Sequence, residues 1–219
     1  FSDIFGNLNL KIERIITDGL SAQFSVFSSP GNSNGEQIGA FHNVAPVISN
    51  TALYPYQPKY IAFSPQIRWY LNGGLGHGFY IQGYYRFQHS DFTRQHIYAP
   101  HKVVDDKMQH ISVDYDGQAT THSYGLSIGA QWLFGRRKNI VLDWHILGVG
   151  RGFTRGSLTG TYTPAVSHAE VEKALRQDIP RDMTNAVFTF DATQPQVKVS
   201  KIKQASDIFD MGVSIGFRF

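Results

Sequence analysis

The chain has 219 residues, no cysteine, 17% charged residues and a formal net charge of +3. The length fits one domain or one barrel, the lack of cysteine excludes disulfides and thiolate metal sites, and the scattered cations form no basic patch for nucleic acid. Hydrophobic residues reach 42%, yet no apolar run approaches the roughly 20 residues of a helical membrane span, and Phe1 to Gly6 show neither the basic nor the apolar stretch of a leader.

In chain order, the recurrent signal is period-two alternation in segments of about 10 residues, each ended by turn residues. Leu8, Leu10 and Ile12 oppose Asn9, Lys11 and Glu13. After a short turn, Leu20, Ala22, Phe24 and Val26 oppose Ser21, Gln23, Ser25 and Phe27. The third segment sets Ile61, Phe63, Pro65, Ile67, Trp69 and Leu71 against Tyr60, Ala62, Ser64, Gln66, Arg68 and Tyr70. The fourth sets Phe79, Ile81, Gly83, Tyr85 and Phe87 against Tyr80, Gln82, Tyr84, Arg86 and Gln88. From Tyr124, Leu126, Ile128, Ala130, Trp132 and Phe134 oppose Ser127, Gly129, Gln131 and Leu133. From Ile140, Leu142, Trp144 and Ile146 oppose Val141, Asp143, His145 and Leu147. The last segment sets Phe209, Met211, Val213, Ile215, Phe217 and Phe219 against Asp210, Gly212, Ser214, Gly216 and Arg218.

One strand face in each segment is apolar and carries Trp, Tyr or Phe at its ends. The other carries charge and amide in mid-strand. A sandwich would need a dry face against a second sheet, whereas a barrel in lipid puts the apolar face outside and the polar face within. The 16 Phe, 11 Tyr and 21 Gly suit such a wall. The connections also sort. Thr17 to Gly19, Asn72 to His77 and Gly135 to Asn139 are short; Ser29 to about Lys59, Asp91 to about Thr121 and Phe153 to about Asp207 are long, and the two kinds alternate. The expected fold is therefore all-β: a transmembrane antiparallel up-and-down β-barrel of about eight strands, with short periplasmic turns and long extracellular loops. Residues 1–219 are expected to form this single domain, in the outer membrane of a Gram-negative bacterium.

Seven strong segments leave the first and last strands running the same way. An even count then calls for one more upward strand, either ahead of Phe1 or within Val187 to Lys203. Ala169 to Gln177 reads as a short helix in the third long connection, with Glu170, Glu172 and Lys173 on its solvent side.

Several stretches resemble a Bacteroidetes outer-membrane family of unknown function. They are Phe5-Gly-Asn-Leu-Asn-Leu-Lys-Ile-Glu-Arg14, Ser64-Pro-Gln-Ile-Arg-Trp-Tyr-Leu71 and Gly78-Phe-Tyr-Ile81. Gly129-Ala-Gln-Trp-Leu-Phe-Gly-Arg136, Leu142-Asp-Trp-His-Ile-Leu-Gly148 and Gly212-Val-Ser-Ile-Gly-Phe-Arg-Phe219 continue the likeness. The resemblance runs through every strong segment except the second and does not extend into the long connections. It implies a small barrel shaped like the OmpA transmembrane domain. Phe219, with apolar residues alternating before it, resembles the signal read by the barrel-insertion machinery. The resemblance carries no catalytic residue.

The candidate site residues are the inward charges Lys11, Glu13, Arg68, Arg86, Asp143, His145, Arg151, Asp210 and Arg218. An eight-stranded barrel is just wide enough to be filled by side chains, and buried charges must be paired, so a salt-bridged interior is the preferred reading over a narrow pore. Asp143 and His145 share a face and would need a serine to make a hydrolase triad; no motif places one, and His89 and Ser90 fall on opposite faces. His96, His101, Asp105, Asp106, His110, Asp114 and Asp116 match no metal-site spacing and read as a solvated polar loop. The outward aromatics Trp69, Phe79, Trp132, Phe134, Trp144, Phe217 and Phe219 read as membrane-interface anchors. Tyr54-Pro-Tyr-Gln-Pro58 and Tyr98-Ala-Pro100 point to ordered loops. No cofactor and no enzymatic activity is expected. The expected partners are outer-membrane lipid and another outer-membrane protein, met through the barrel wall or the loops. The alternatives are an outer-leaflet lipid or glycan hydrolase and a narrow pore.

Overall fold

The computed structural model describes residues 8–30, 59–71, 74–104, 107–162, 167–169, 171–173 and 187–218, with the side chains of 92–112, 115 and 204 excepted. The strands are β1 (Leu8–Thr17), β2 (Leu20–Ser29), β3 (Lys59–Tyr70), β4 (Gly78–Val104), β5 (Lys107–Phe134), β6 (Ile140–Tyr162), β7 (Val187–Phe190) and β8 (Gln196–Phe217). They form one antiparallel up-and-down sheet in the order β1-β2-β3-β4-β5-β6-β8-β7. Each expected segment is a strand, and the three short connections are where the alternation breaks.

The sheet is not closed. Among the described residues β1 and β8 have no backbone pairing with each other, and both run in the same direction, so the eight strands do not make the expected barrel. Nor does the stretch from Val187 to Lys203 supply the missing upward strand. It folds as β7 and the start of β8, and β7 pairs only with Val197 to Ser200 at the outer end of β8.

Two of the three long connections are not loops. β4 and β5 pair from Gly78↔Gln131 as far as Val104↔Lys107, and β5 and β6 as far as Val113↔Tyr162. These extensions escape a search for apolar alternation because their described exposed positions, among them Asp114, Asp116, Gln118, Arg155, Ser157 and Thr159, are polar, while Thr, Val and Tyr keep their β-propensity. Asp105, Asp106, Glu170, Phe219 and the run Tyr54–Pro58 lie outside the described residues, as do the side chains of His96, His101, His110 and Tyr98–Pro100. Among the described residues the expected helix is present at 168–169 and 171–173, where Val171 is buried, Glu172 is half-buried and Lys173 is exposed.

Strand length divides the molecule. β1, β2 and β3 have 10, 10 and 12 residues, close to the 9–11 of a tilted transmembrane strand. β4, β5, β6 and β8 have 27, 28, 23 and 22, so each runs on by ten residues or more, about 33 Å at ~3.3 Å per residue.

Polarity inverts between the two parts. Near the short turns, Ile67, Trp69, Phe79, Leu126, Met211, Val213 and Ile215 are exposed while Gln66, Arg68, Gln82, Ser127, Gln131 and Asp143 are buried. In the extension, Val113, Leu158, Tyr162, Val171, Val197, Val199 and Ile202 are buried, and Arg155, Ser157, Thr159, Lys198 and Lys203 are exposed. His168 stacks on Phe190, with ring centroids 5.2 Å apart, and meets the edge of Tyr162. The extension thus has a small core of ordinary, soluble-protein polarity, and the part below it is the reverse.

Candidate functional site

The interior of the short-turn half is organised around Arg68 of β3, which is 1% exposed. Its alternation phase aims it inward, and β4, β5 and β6 each supply an acceptor to one of its guanidinium nitrogens. Nε donates to Gln82 Oε1 at 2.6 Å, Nη1 to Gln131 Oε1 at 2.8 Å and Nη2 to Asp143 Oδ2 at 2.8 Å. Nη1 lies 3.6 Å from Glu13 Oε2. The guanidinium carbon sits 4.2 Å over the Tyr80 ring, and the Tyr80 hydroxyl donates to Asp143 Oδ1 at 2.8 Å. The rigid fork of arginine meets all three acceptors at once; the single ammonium of a lysine would not replace it.

Around this centre the network reaches every long strand. Glu13 of β1 accepts from Ser21 of β2 and from the Tyr70 hydroxyl at 2.7 Å. Gln131 Nε2 donates to Glu13 Oε2 at 3.2 Å and to the Gly76 carbonyl at 2.9 Å. Lys11 Nζ lies 3.8 Å from Asp143 Oδ2 and donates to Ser214 of β8 at 3.4 Å. Two cations and two carboxylates balance, which offsets much of the desolvation cost of burying them. The Lys11–Ser214 bond also spans the seam that the backbone leaves unpaired.

The β3–β4 turn tucks against this network. Leu75 N donates to the Asp18 carbonyl at 2.9 Å, and Arg218 Nη1 donates to the Leu75 carbonyl at 3.0 Å. Arg218 is exposed at the rim and does not belong to the interior set.

A second cluster lies further from the short turns. His145 Nε2 is 2.9 Å from Asp210 Oδ1, Arg86 Nη2 is 3.7 Å from Asp210 Oδ2, and the Arg86 guanidinium lies 4.6 Å over Phe27. Asp143 and His145 share a face as expected, but they serve different clusters. Among the described residues no serine hydroxyl bonds to His145. Among the described residues, buried Tyr84 OH and Arg86 Nε have no hydrogen-bond partner, nor do Gln23 Oε1 and Ser127 Oγ, whose residues stand opposite Glu13 and Gln82.

Arg151 is corrected by a bulge. The β6–β8 register shifts between His145 and Gly148, which reverses the phase of β6. Leu147, Val149 and Arg151 point outward, Arg151 is exposed opposite Asp207, and the glycines Gly148, Gly150 and Gly152 take the inward positions. A Cβ at Gly148 would overlap the Asp210 carboxylate, so the bulge and the glycine together make room for the His145–Asp210 pair.

The charge list misses the neutral half of the network: Tyr70, Tyr80, Gln82 and Gln131. The signal was present, since all four alternate onto the polar face. Gly129 sits on the same face of β5, and a Cβ there would overlap the Tyr80 ring. A tyrosine on the polar face of one strand and a glycine on that of its neighbour is the sequence mark of this packing.

Of the outward aromatics, Trp69 is 60% exposed and Phe217 76%, with Phe79, Phe134 and Trp144 also exposed. Trp132 is half-buried, stacked on Trp144 at 6.4 Å. All three tryptophans of the chain lie toward the short-turn end. No family model, curated protein or solved structure matches this chain. Among the described residues no group of three or more His, Asp or Glu could hold a metal ion.

Proposed function

We propose that this chain is a non-enzymatic outer-membrane β-barrel protein of a Gram-negative bacterium, carrying a β-structured extension on its extracellular side. The observation that carries the reading is the inversion of polarity along single strands. On β8, Phe209, Met211, Val213, Ile215 and Phe217 are exposed, followed outward by exposed Lys203, Lys201 and Lys198, with buried Ile202 and Val199 between them and buried Val197 just beyond. Water tolerates the second arrangement and penalises the first; lipid does the opposite. The resemblance to a Bacteroidetes outer-membrane family agrees with this, and an upward strand seated between β1 and β8 would complete an eight-stranded antiparallel barrel.

The role we assign is that of an accessory or structural subunit of a larger outer-membrane complex. The extension is a broad five-stranded surface with its own small core, built to be presented rather than to react. The interior favours neither alternative: the Arg68 network ties all seven long strands together across it, and among the described residues no serine hydroxyl bonds to His145.

Single-cysteine labelling in phosphatidylcholine vesicles tests the membrane reading, since the chain has no cysteine of its own. Val213→Cys and Phe209→Cys should resist a water-soluble maleimide, while Lys203→Cys and Lys198→Cys should react. Equal labelling at all four positions would sink it. Purification from the native outer membrane in mild detergent tests the accessory role, which requires a stoichiometric protein partner.

A further inference from the structure

We propose that Arg155 of β6 and Lys203 of β8 form a binding site for the phosphate groups of an anionic outer-leaflet lipid. This rests on the membrane reading above. The two residues face each other directly across neighbouring strands, and both are exposed on the outward face. Like charges placed opposite one another in an antiparallel pair destabilise it, and neither cation has an ion pair with any described residue.

The next outward pair toward the apolar band, apart from Phe153 and Ala205, is Arg151↔Asp207, where register sets opposite charges together. Arg155↔Lys203 lacks that compensation. Lys201 and Lys198 continue the cationic run. An anion held between the facing side chains would replace repulsion with two charge-assisted hydrogen-bonding partners, the fork of Arg155 and the point charge of Lys203.

Position selects lipid over a soluble anion. Arg155 and Lys203 are the first uncompensated charged pair beyond the apolar part of the outward face, past the neutral pair Arg151↔Asp207. Phe153, 43% exposed, lies next to them on the acyl-chain side, and Phe209, 68% exposed, follows six residues along β8 from Lys203, about 20 Å away at ~3.3 Å per residue. A headgroup phosphate at the cations would let its own chains run over Phe153 and past the neutral Arg151↔Asp207 pair to Val149 and Phe209, so one molecule satisfies both surfaces.

The test compares affinities for diphosphoryl lipid A in a zwitterionic detergent, using the full chain. Arg155→Gln with Lys203→Gln should weaken binding roughly 10- to 30-fold, at about 1 kcal/mol per cation near an anionic surface. Arg155→Glu alone removes the cationic pair while relieving its repulsion, and should abolish binding in a protein that folds at least as well. Arg136→Gln with Arg137→Gln, at the opposite rim, should leave the affinity unchanged. Unchanged affinity in the first two variants, an equal loss in the third, or displacement by equimolar inorganic phosphate would each overturn the proposal. A chain that inserts into pure phosphatidylcholine vesicles but shows no lipid preference defeats this site alone; a chain that does not insert defeats the membrane reading with it.

Discussion

Arg68 on β3 and Asp143 on β6 meet at 2.8 Å across the interior, although neither of their strands is adjacent in the sheet. With β4 and β5 lying between them, the contact exists only because the sheet curls. Removing one partner leaves a buried charge unmatched, so Arg68→Gln should cost about 3–5 kcal/mol. Arg68→Met with Asp143→Leu leaves Lys11 to balance Glu13 and should cost less than the sum of the single changes. Equilibrium unfolding in urea, taken through a double-mutant cycle, reads the coupling; additive losses would show that the pair is not coupled.

Tyr80 depends on what Gly129 lacks. Gly129→Ala puts a methyl group into the phenol ring and should destabilise the protein by about 1–3 kcal/mol, as overpacking does. Tyr80→Leu in the same chain should recover part of that loss. At Gly212, where a Cβ would meet no atom within 4 Å, the same change should fall within about 0.5 kcal/mol of neutral. Thermal or urea midpoints for the three variants separate these outcomes.

The turn between β7 and β8 should respond to acid. Asp191 Oδ1 accepts from the Thr193 hydroxyl and amide, both at 2.7 Å, and from the Gln194 amide at 3.1 Å. The Thr193 bonds hold this exposed carboxyl below its usual pKa. A depressed folded value means the stabilisation is complete above the unfolded carboxylate pKa and is lost as pH falls through the folded one. The protection factors for amide exchange at Thr193 and Gln194, taken against the intrinsic rate at each pH, should therefore fall toward low pH more in the native chain than in Asp191→Asn. Parallel profiles would show that the carboxylate does not hold the turn.

His145 offers the decisive variant against the hydrolase alternative. Its ring nitrogen is 2.9 Å from Asp210 and bonds to no serine among the described residues. The wild-type chain is expected to release no fatty acid or sugar from outer-leaflet lipid, and His145→Ala to lower stability only. Turnover by the wild type that disappears in His145→Ala would reverse the conclusion.

Much of this was legible in the residues themselves. Alternation placed all seven long strands, and the inward phase of Lys11, Glu13, Arg68, Asp143 and Asp210 followed from it. Arg151 was not legible, because a bulge at His145–Gly148 adds one residue to the count and alternation has no means of sensing it. The outer halves of β4, β5, β6 and β8 were hidden for another reason. In β6 and β8 the buried apolar face of the outer half is narrow, broken by Gly156, Gly160 and polar residues, and it points the opposite way from the apolar face of the lower strands. The Arg68 centre was visible as a charge but not as a hub, since its acceptors Gln82 and Gln131 are neutral and 49 positions apart in the chain.

The reach of the Arg68 network also fixes when it can form. Its members lie on all seven long strands, from Lys11 near one end of the sequence to Ser214 near the other, so no hairpin or partial sheet can assemble it. Contacts so distant along the chain close late in folding, after loop entropy has been lost elsewhere. Arg68 is then expected to be a low-φ position, where weakening it should speed the escape from the native state and leave the rate of arrival almost unchanged. The buried arginine acts as a latch on a finished wall, setting how long the assembled protein lasts.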